Sequence, residues 1–130
     1  MILLDTHIWI WMVSEPERLT DTQQSEIEAA ERVGLGVSVI SCWEVAKLVE
    51  RGRIALDRPV GVWIEEALAF RGVRVLDLTV EIVIASTQLP GTFHRDPADQ
   101  IIVATARAHQ SRLLTSDQKI LGYEHVESVS

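Results

Sequence analysis

Apolar residues follow two rhythms along this chain. Short continuous runs stop at polar residues, and between them apolar positions recur at three- and four-residue spacing. Ile2-Leu3-Leu4 runs straight into Asp5, which reads as a buried parallel strand over residues 2–5 with a carboxylate at its carboxyl end. Further strands are expected at 35–40, 73–76 and 112–115, with a fifth at 125–127. Residues 6–13 are apolar almost all round and predict a short, deeply buried helix, ended by Ser14-Glu15-Pro16. Thr20-Asp21-Thr22-Gln23 has capping-box spacing and opens a polar helix over 21–33, which Gly34 stops.

The remaining helices follow from the same signals. Residues 42–51 form one with Val45, Leu48 and Val49 turned inward. Pro59 opens another, carrying Val60, Trp63, Ile64, Ala67 and Leu68 to about Phe70. Thr79 caps a helix to about Gln88, broken by Leu89-Pro90-Gly91. Asp96-Pro97 opens the helix 97–109, with Asp99, Ile102, Val103 and Ala106 on one face. A short turn of helix begins at Asp117. Strands alternating with helices imply parallel pairing and a three-layer α/β domain with a central sheet flanked by helices.

This pattern places four acids together. Asp5, Glu44 and Asp117 each follow an expected strand, and Asp99 starts a helix that returns to the sheet. In such folds ligands bind at the carboxyl ends of the strands. Each acid also has a purely structural reading. Asp5, Asp96 and Asp117 are competent N-caps, Glu44 completes a capping box with Ser41, and Asp99 complements a helix dipole. Taken together, carboxylates in one cleft raise each other's pKa, and a hard divalent cation removes that penalty. Without a Cys or His cluster the donor set suits Mg²⁺ or Mn²⁺ better than Zn²⁺. A metal among acids suggests phosphodiester hydrolysis, the ion polarising the phosphate and activating the attacking water.

Composition narrows the picture without redirecting it. The chain has 130 residues, 47% hydrophobic, which suits one core. The single cysteine, Cys42, excludes an internal disulfide framework and reads as a small buried residue. No apolar run spans a bilayer and no signal-peptide pattern opens the chain, so a cytoplasmic setting is expected. No Gly-rich phosphate loop is present. The net charge of −7 disfavours non-specific nucleic-acid binding, although local charge placement matters more. Lys47 and Arg51 share a helix face with Glu44 and would steer phosphate groups toward the acids, or else form a solvated face pairing with Glu50. His7 and His94 flank the acids and read as hydrogen-bonding residues rather than ligands. Trp9, Trp11, Trp43 and Trp63 read as core.

Five segments together resemble a PIN-domain ribonuclease of the VapC-like toxin group. They are LLDTHIWIW at 3–11, SVISCWEVAKLVERGRIAL at 38–56, LP at 89–90, HRDPADQIIVATA at 94–106 and LLTSD at 113–117. The resemblance implies a single PIN domain over residues 1–130 and a Mg²⁺- or Mn²⁺-dependent endoribonuclease leaving 5′-phosphate and 3′-hydroxyl ends. It carries the metal-binding acids onto Asp5, Glu44, Asp99 and Asp117. Asp96 becomes an auxiliary acid, and Thr6 and Thr115 become supporting hydroxyls. Between Asp96 and Asp99, the inward face continuing through Ile102 and Ala106 favours Asp99 as the direct ligand. The resemblance also implies a VapB-like antitoxin that covers the site with a basic residue. Homodimers are common in the group, and the helices at 6–13 and 59–70 are apolar enough to supply an interface. The group's usual HxDPFDR segment is altered here, with Ala98 in place of the aromatic and Gln100 in place of the arginine.

Two other readings fit less well. A phosphoacceptor receiver domain expects an acid pair after its first strand, where Asp5 stands alone. A PIN-like module that has lost catalysis would not need all four acids.

Overall fold

Residues Ile2–Leu4 form the central strand, β1, of a five-stranded sheet in a computed structural model that describes all 130 residues. The other strands are β2 (Leu35–Ser38), β3 (Val73–Leu76), β4 (Arg112–Leu114) and β5 (Ser128–Val129). Their order is β3-β2-β1-β4-β5, and every pair is parallel. The chain leaves β1 toward β2 and β3 and later returns to the other side of β1 with β4. The order therefore reverses at β1, which opens a crevice beyond its carboxyl end.

The apolar run of β1 is explained by two buried faces. Ile2 and Leu4 enter one core with Ile8, Trp9, Leu35, Val37 and Val45. Leu3 points the other way, into a second core with Ile102, Val103, Ala106, Leu113 and Ile120. Alternation along the strand thus serves helices on both sides of the sheet. The helices are α1 (Thr6–Ser14), α2 (Asp21–Ala30), α3 (Val39–Glu50), α4 (Val60–Leu68), α5 (Val80–Ser86), α6 (Pro97–Ala108) and α7 (Gln118–Leu121). A 3₁₀ turn, Pro16–Arg18, follows α1. No helix is long and apolar enough to cross a membrane.

Several expected boundaries move, each for a local reason. β2 ends at Ser38 instead of Ile40, because the Ser38 hydroxyl accepts from Ile40 N–H at 3.1 Å and caps α3 there. The β-branched pair Val39-Ile40 opens that helix rather than extending the strand. The Ser41–Glu44 capping box is consequently not formed. α2 ends at Ala30, three residues early, while Gly34 takes φ +136°, in the region that favours glycine. Pro59 is the cap of α4 rather than its first residue. α5 stops at Ser86, two residues short of the expected Gln88. The fifth strand lies at Ser128–Val129, paired with Leu113 and Leu114, instead of at 125–127.

Burial also corrects the reading of the tryptophans. Trp9 and Trp63 pack edge to face in the core with centroids 5.2 Å apart. Trp11 is half-buried, and Trp43 is 53% exposed on α3. Cys42 is half-buried as well. α1 turns Ile8, Trp9, Ile10 and Met12 into the core and leaves Trp11 and Val13 half-buried. The exposed apolar side chains cluster elsewhere, with Val80, Val83 and Ile84 of α5 prominent among them.

Candidate metal centre

The crevice at the carboxyl edge of the sheet is a cleft of about 350 Å³ walled by Asp5, Thr6, His7, Trp11, Glu44, Asp96, Asp99, Ser116 and Asp117. All five acids singled out in the sequence reach it. No lysine or arginine lines it, and neither Lys47 nor Arg51 stands in its wall. Lys47 Nζ instead pairs with Glu50 at 2.8 Å, close to the Trp43 ring, while Arg51 is exposed.

Each acid is placed by its own element. Asp5 ends β1 and caps α1, its Oδ1 accepting from Thr6 N–H at 2.8 Å. Its Oδ2 accepts from the Thr115 hydroxyl at 2.6 Å, and Thr115 Oγ1 in turn accepts from Asp117 N–H at 3.0 Å. Asp5 is buried, and burial pushes its carboxyl above the ordinary range against the pull of these donors. Glu44 lies in the second turn of α3, one helical turn beyond Ser41. Thr6 Oγ1 is 2.5 Å from Glu44 Oε1 and 2.8 Å from Ser41 Oγ. A hydroxyl carries one proton, so donation to the carboxylate leaves Ser41 to donate back to Thr6. Burial raises Glu44 to about 7, and the charges of Asp5 and Asp96 add to the shift.

Asp96 and Asp99 divide the work at the start of α6. Asp96 is exposed and caps the helix, accepting from Ala98 N–H at 2.9 Å and Asp99 N–H at 3.4 Å. Asp99 is turned inward and buried. Burial and then the charges of Asp5, Asp96, Asp117 and Glu44 push it up to about 8. Asp117 caps α7 through Lys119 N–H at 2.9 Å. The tightest group of donor atoms joins Asp99 and Asp117 to His94, all within 4.8 Å of one another. Asp5 and Glu44 face the same cleft with oxygens already engaged by threonine hydroxyls.

This donor set fits a divalent cation. Carboxylates from four separate segments face one another with no lysine or arginine to balance them, and burial together with that crowding holds Asp99 far from its ordinary ionisation. The sequence pattern did not single out Ser41, Ser116 or Trp11 as part of the site. The Ser41 hydroxyl was hidden by its expected role as a cap.

A second, larger groove of about 1010 Å³ shares His7 and Trp11 with the acid cleft and runs between α1, α4 and the 53–58 segment. Arg53 lines it and is exposed, whereas Arg18 pairs with Glu15 and Arg58 with Asp57 and Glu66.

Comparison with known proteins agrees with the architecture. The PIN-domain profile matches residues 2–125. Ribonuclease VapC22 of Mycobacterium tuberculosis is 36% identical over 129 residues, covering 99% of this chain and 96% of that one. Among solved structures, VapBC2 of Rickettsia felis bound to a promoter DNA fragment superposes with a TM-score of 0.72 at 15% identity, covering 99% and 98% of the two chains. A toxin–antitoxin complex from Klebsiella pneumoniae gives 0.68 at 21% identity, covering 100% and 97%. With the profile matching nearly end to end and the VapC22 likeness spanning almost the whole chain, this chain belongs to the PIN-domain family.

Proposed function

We propose that this chain, as a single PIN domain, is a metal-dependent endoribonuclease and the toxin of a toxin–antitoxin pair. The observation that carries the reading is the cleft itself, where Asp5, Glu44, Asp99 and Asp117 converge with no lysine or arginine among them. The likeness to a ribonuclease and to toxin–antitoxin complexes supports it.

In this reading Asp5, Glu44, Asp99 and Asp117 hold one or more Mg²⁺ or Mn²⁺ ions. The bound ion supplies positive charge that polarises the scissile phosphate and activates the attacking water. The protein's own contribution is placement. Thr115 and the Thr6 amide hold both oxygens of Asp5, and Thr6 Oγ1 holds Glu44. Asp96 fixes the first turn of α6 and so the aim of Asp99. The core behind Ile102 and Ala106 keeps that helix from shifting.

RNA reaches the acids past basic residues outside the cleft. Arg51 is exposed on α3, Lys47 exchanges Glu50 for phosphate, and Arg53 lines the groove that opens into the site. A VapB-like antitoxin silences the site by placing a basic side chain among the acids, which no lysine or arginine of this chain's cleft balances. The exposed apolar face of α5 supplies a homodimer contact. The setting is the cytoplasm.

The test is cleavage of a mixed RNA pool with Mg²⁺ or Mn²⁺ by the wild type and by the Asp5→Asn and Asp99→Asn variants, each checked for folding by circular dichroism. Metal-dependent cleavage that both variants lose supports the assignment. Full activity in folded Asp5→Asn overturns it.

A further inference from the structure

His94 belongs to the site in a way that a flanking residue does not. Its Nε2 lies 3.0 Å from Asp99 Oδ2. The Nε2 atom is fully buried and has no aligned hydrogen-bond partner, so the contact with Asp99 is close but off the line of a hydrogen bond. An orphaned buried nitrogen is costly unless something else engages it.

The distances suit a shared ion. Adjacent ligands of an octahedral ion at ~2.1 Å are about 3.0 Å apart, and opposite ones about 4.2 Å. His94 and Asp99 match the first spacing, and Asp117 offers a third, looser oxygen within 4.8 Å of both.

The ring is also held in place. Gln100 Nε2 donates to the His94 carbonyl at 3.0 Å, so the residue that replaces the usual arginine fixes the His94 backbone. Phe93 packs on the imidazole at a centroid distance of 4.5 Å and is itself backed by Tyr123 at 4.8 Å.

We propose that His94 Nε2 is a direct ligand of the metal shared with Asp99 and Asp117, and that it biases the site toward Mn²⁺ over Mg²⁺. The inference rests on the metal-dependent reading above. An imidazole nitrogen is a poorer ligand for Mg²⁺, which prefers oxygen, than for the transition ion.

Mn²⁺ bound to the purified protein, read by electron paramagnetic resonance, tests this without reference to cleavage. Titration of the free-ion signal gives affinity, and the pulsed spectrum reports nitrogen coupling. Expected are ¹⁴N coupling in the wild type and a ¹⁵N pattern after ¹⁵N-histidine labelling. Coupling should be retained in His7→Gln and lost in His94→Gln. Mn²⁺ affinity should fall at least ~10-fold in His94→Gln, with a smaller loss for Mg²⁺ measured by competition. Bound Mn²⁺ without nitrogen coupling, or coupling lost in His7→Gln, overturns the His94 assignment while leaving a metal site. No Mn²⁺ bound at millimolar concentration overturns the metal-dependent reading itself. If His94→Gln does not fold, labelled wild type and His7→Gln still decide the matter.

Discussion

The Thr115 hydroxyl donates to Asp5 Oδ2 at 2.6 Å across 110 residues of sequence, tying the ends of the two central strands together at the cleft. The same oxygen accepts from Asp117 N–H, so one hydroxyl positions two of the acids. Thr115→Val keeps the shape but leaves the Asp117 amide and an Asp5 oxygen without their partner. Such a loss costs about 1–3 kcal/mol in a buried site. A lowered unfolding midpoint in urea together with reduced cleavage is expected. Thr115→Ser, which retains the hydroxyl, should restore cleavage toward wild type, and equal defects in both would show that the methyl group matters instead.

Glu44 at about 7 and Asp99 at about 8 give the metal-free protein an inverted pH response. Both carboxyls titrate near 4 in the unfolded chain, from ordinary values of 4.5 and 3.8. Between roughly pH 4 and 8 the folded protein therefore holds more protons than the unfolded one, and stability falls as pH rises through that window. In the presence of a chelator, urea unfolding should show greater stability at pH 5.5 than at pH 8. A divalent ion at ~100-fold excess over its Kd adds about 2.7 kcal/mol. That gain should appear at pH 8 and shrink at pH 5.5, where protons compete for the same oxygens.

The sequence made the acids legible because their positions follow from strand ends and one helix start. Asp5, Asp99 and Asp117 needed only the run-then-carboxylate pattern and the Asp96-Pro97 helix signal. Glu44 reaches the cleft because it follows β2, as its place in the sequence implied, and only its alternative reading as a cap partner of Ser41 fails. Ser41 through Glu44 spells a capping box, but Ser38 caps the helix three residues earlier, which frees Glu44 to reach Thr6. Val39-Ile40 has strand propensity that the tertiary contacts override. Trp43 could not be assigned to the surface from type alone, since only the seating of α3 decides which side faces out. The short β5 escaped for a similar reason. Val126 points into the core, and the pairing begins only two residues later. The role of His94 required distances that no sequence spacing supplies.

Arg53 stands exposed on the groove beside the acids and lacks an ion-pair partner, unlike Arg18 and Arg58 on the same groove. Arg53→Glu should weaken RNA binding without disturbing the fold. A phosphate contact carries a salt dependence, so the slope of log K against log[salt] should decrease by about 0.7 for single-stranded RNA. Fluorescence anisotropy with a catalytically silent Asp5→Asn background measures this directly. An unchanged slope would move the RNA path away from this groove.

Asp99→Asn separates stability from activity. Asp99 is buried among like charges, and in the metal-free protein at pH 8 part of its population is ionised against that repulsion. Asparagine keeps the shape and removes the charge. The metal-free variant should therefore unfold roughly 2–4 °C above wild type at pH 8, a modest gain because solvent in the open cleft screens the repulsion. The gain should vanish near pH 5.5, where the wild-type carboxyl is already protonated. Cleavage should meanwhile fall by more than the ~10–100-fold that loss of a supporting group costs a metal site. A variant more stable without metal, less stabilised by metal and inactive on RNA is the behaviour of an acid retained for chemistry at the expense of the fold. An Asp99→Asn protein less stable than wild type at pH 8 would instead make Asp99 a structural residue of α6.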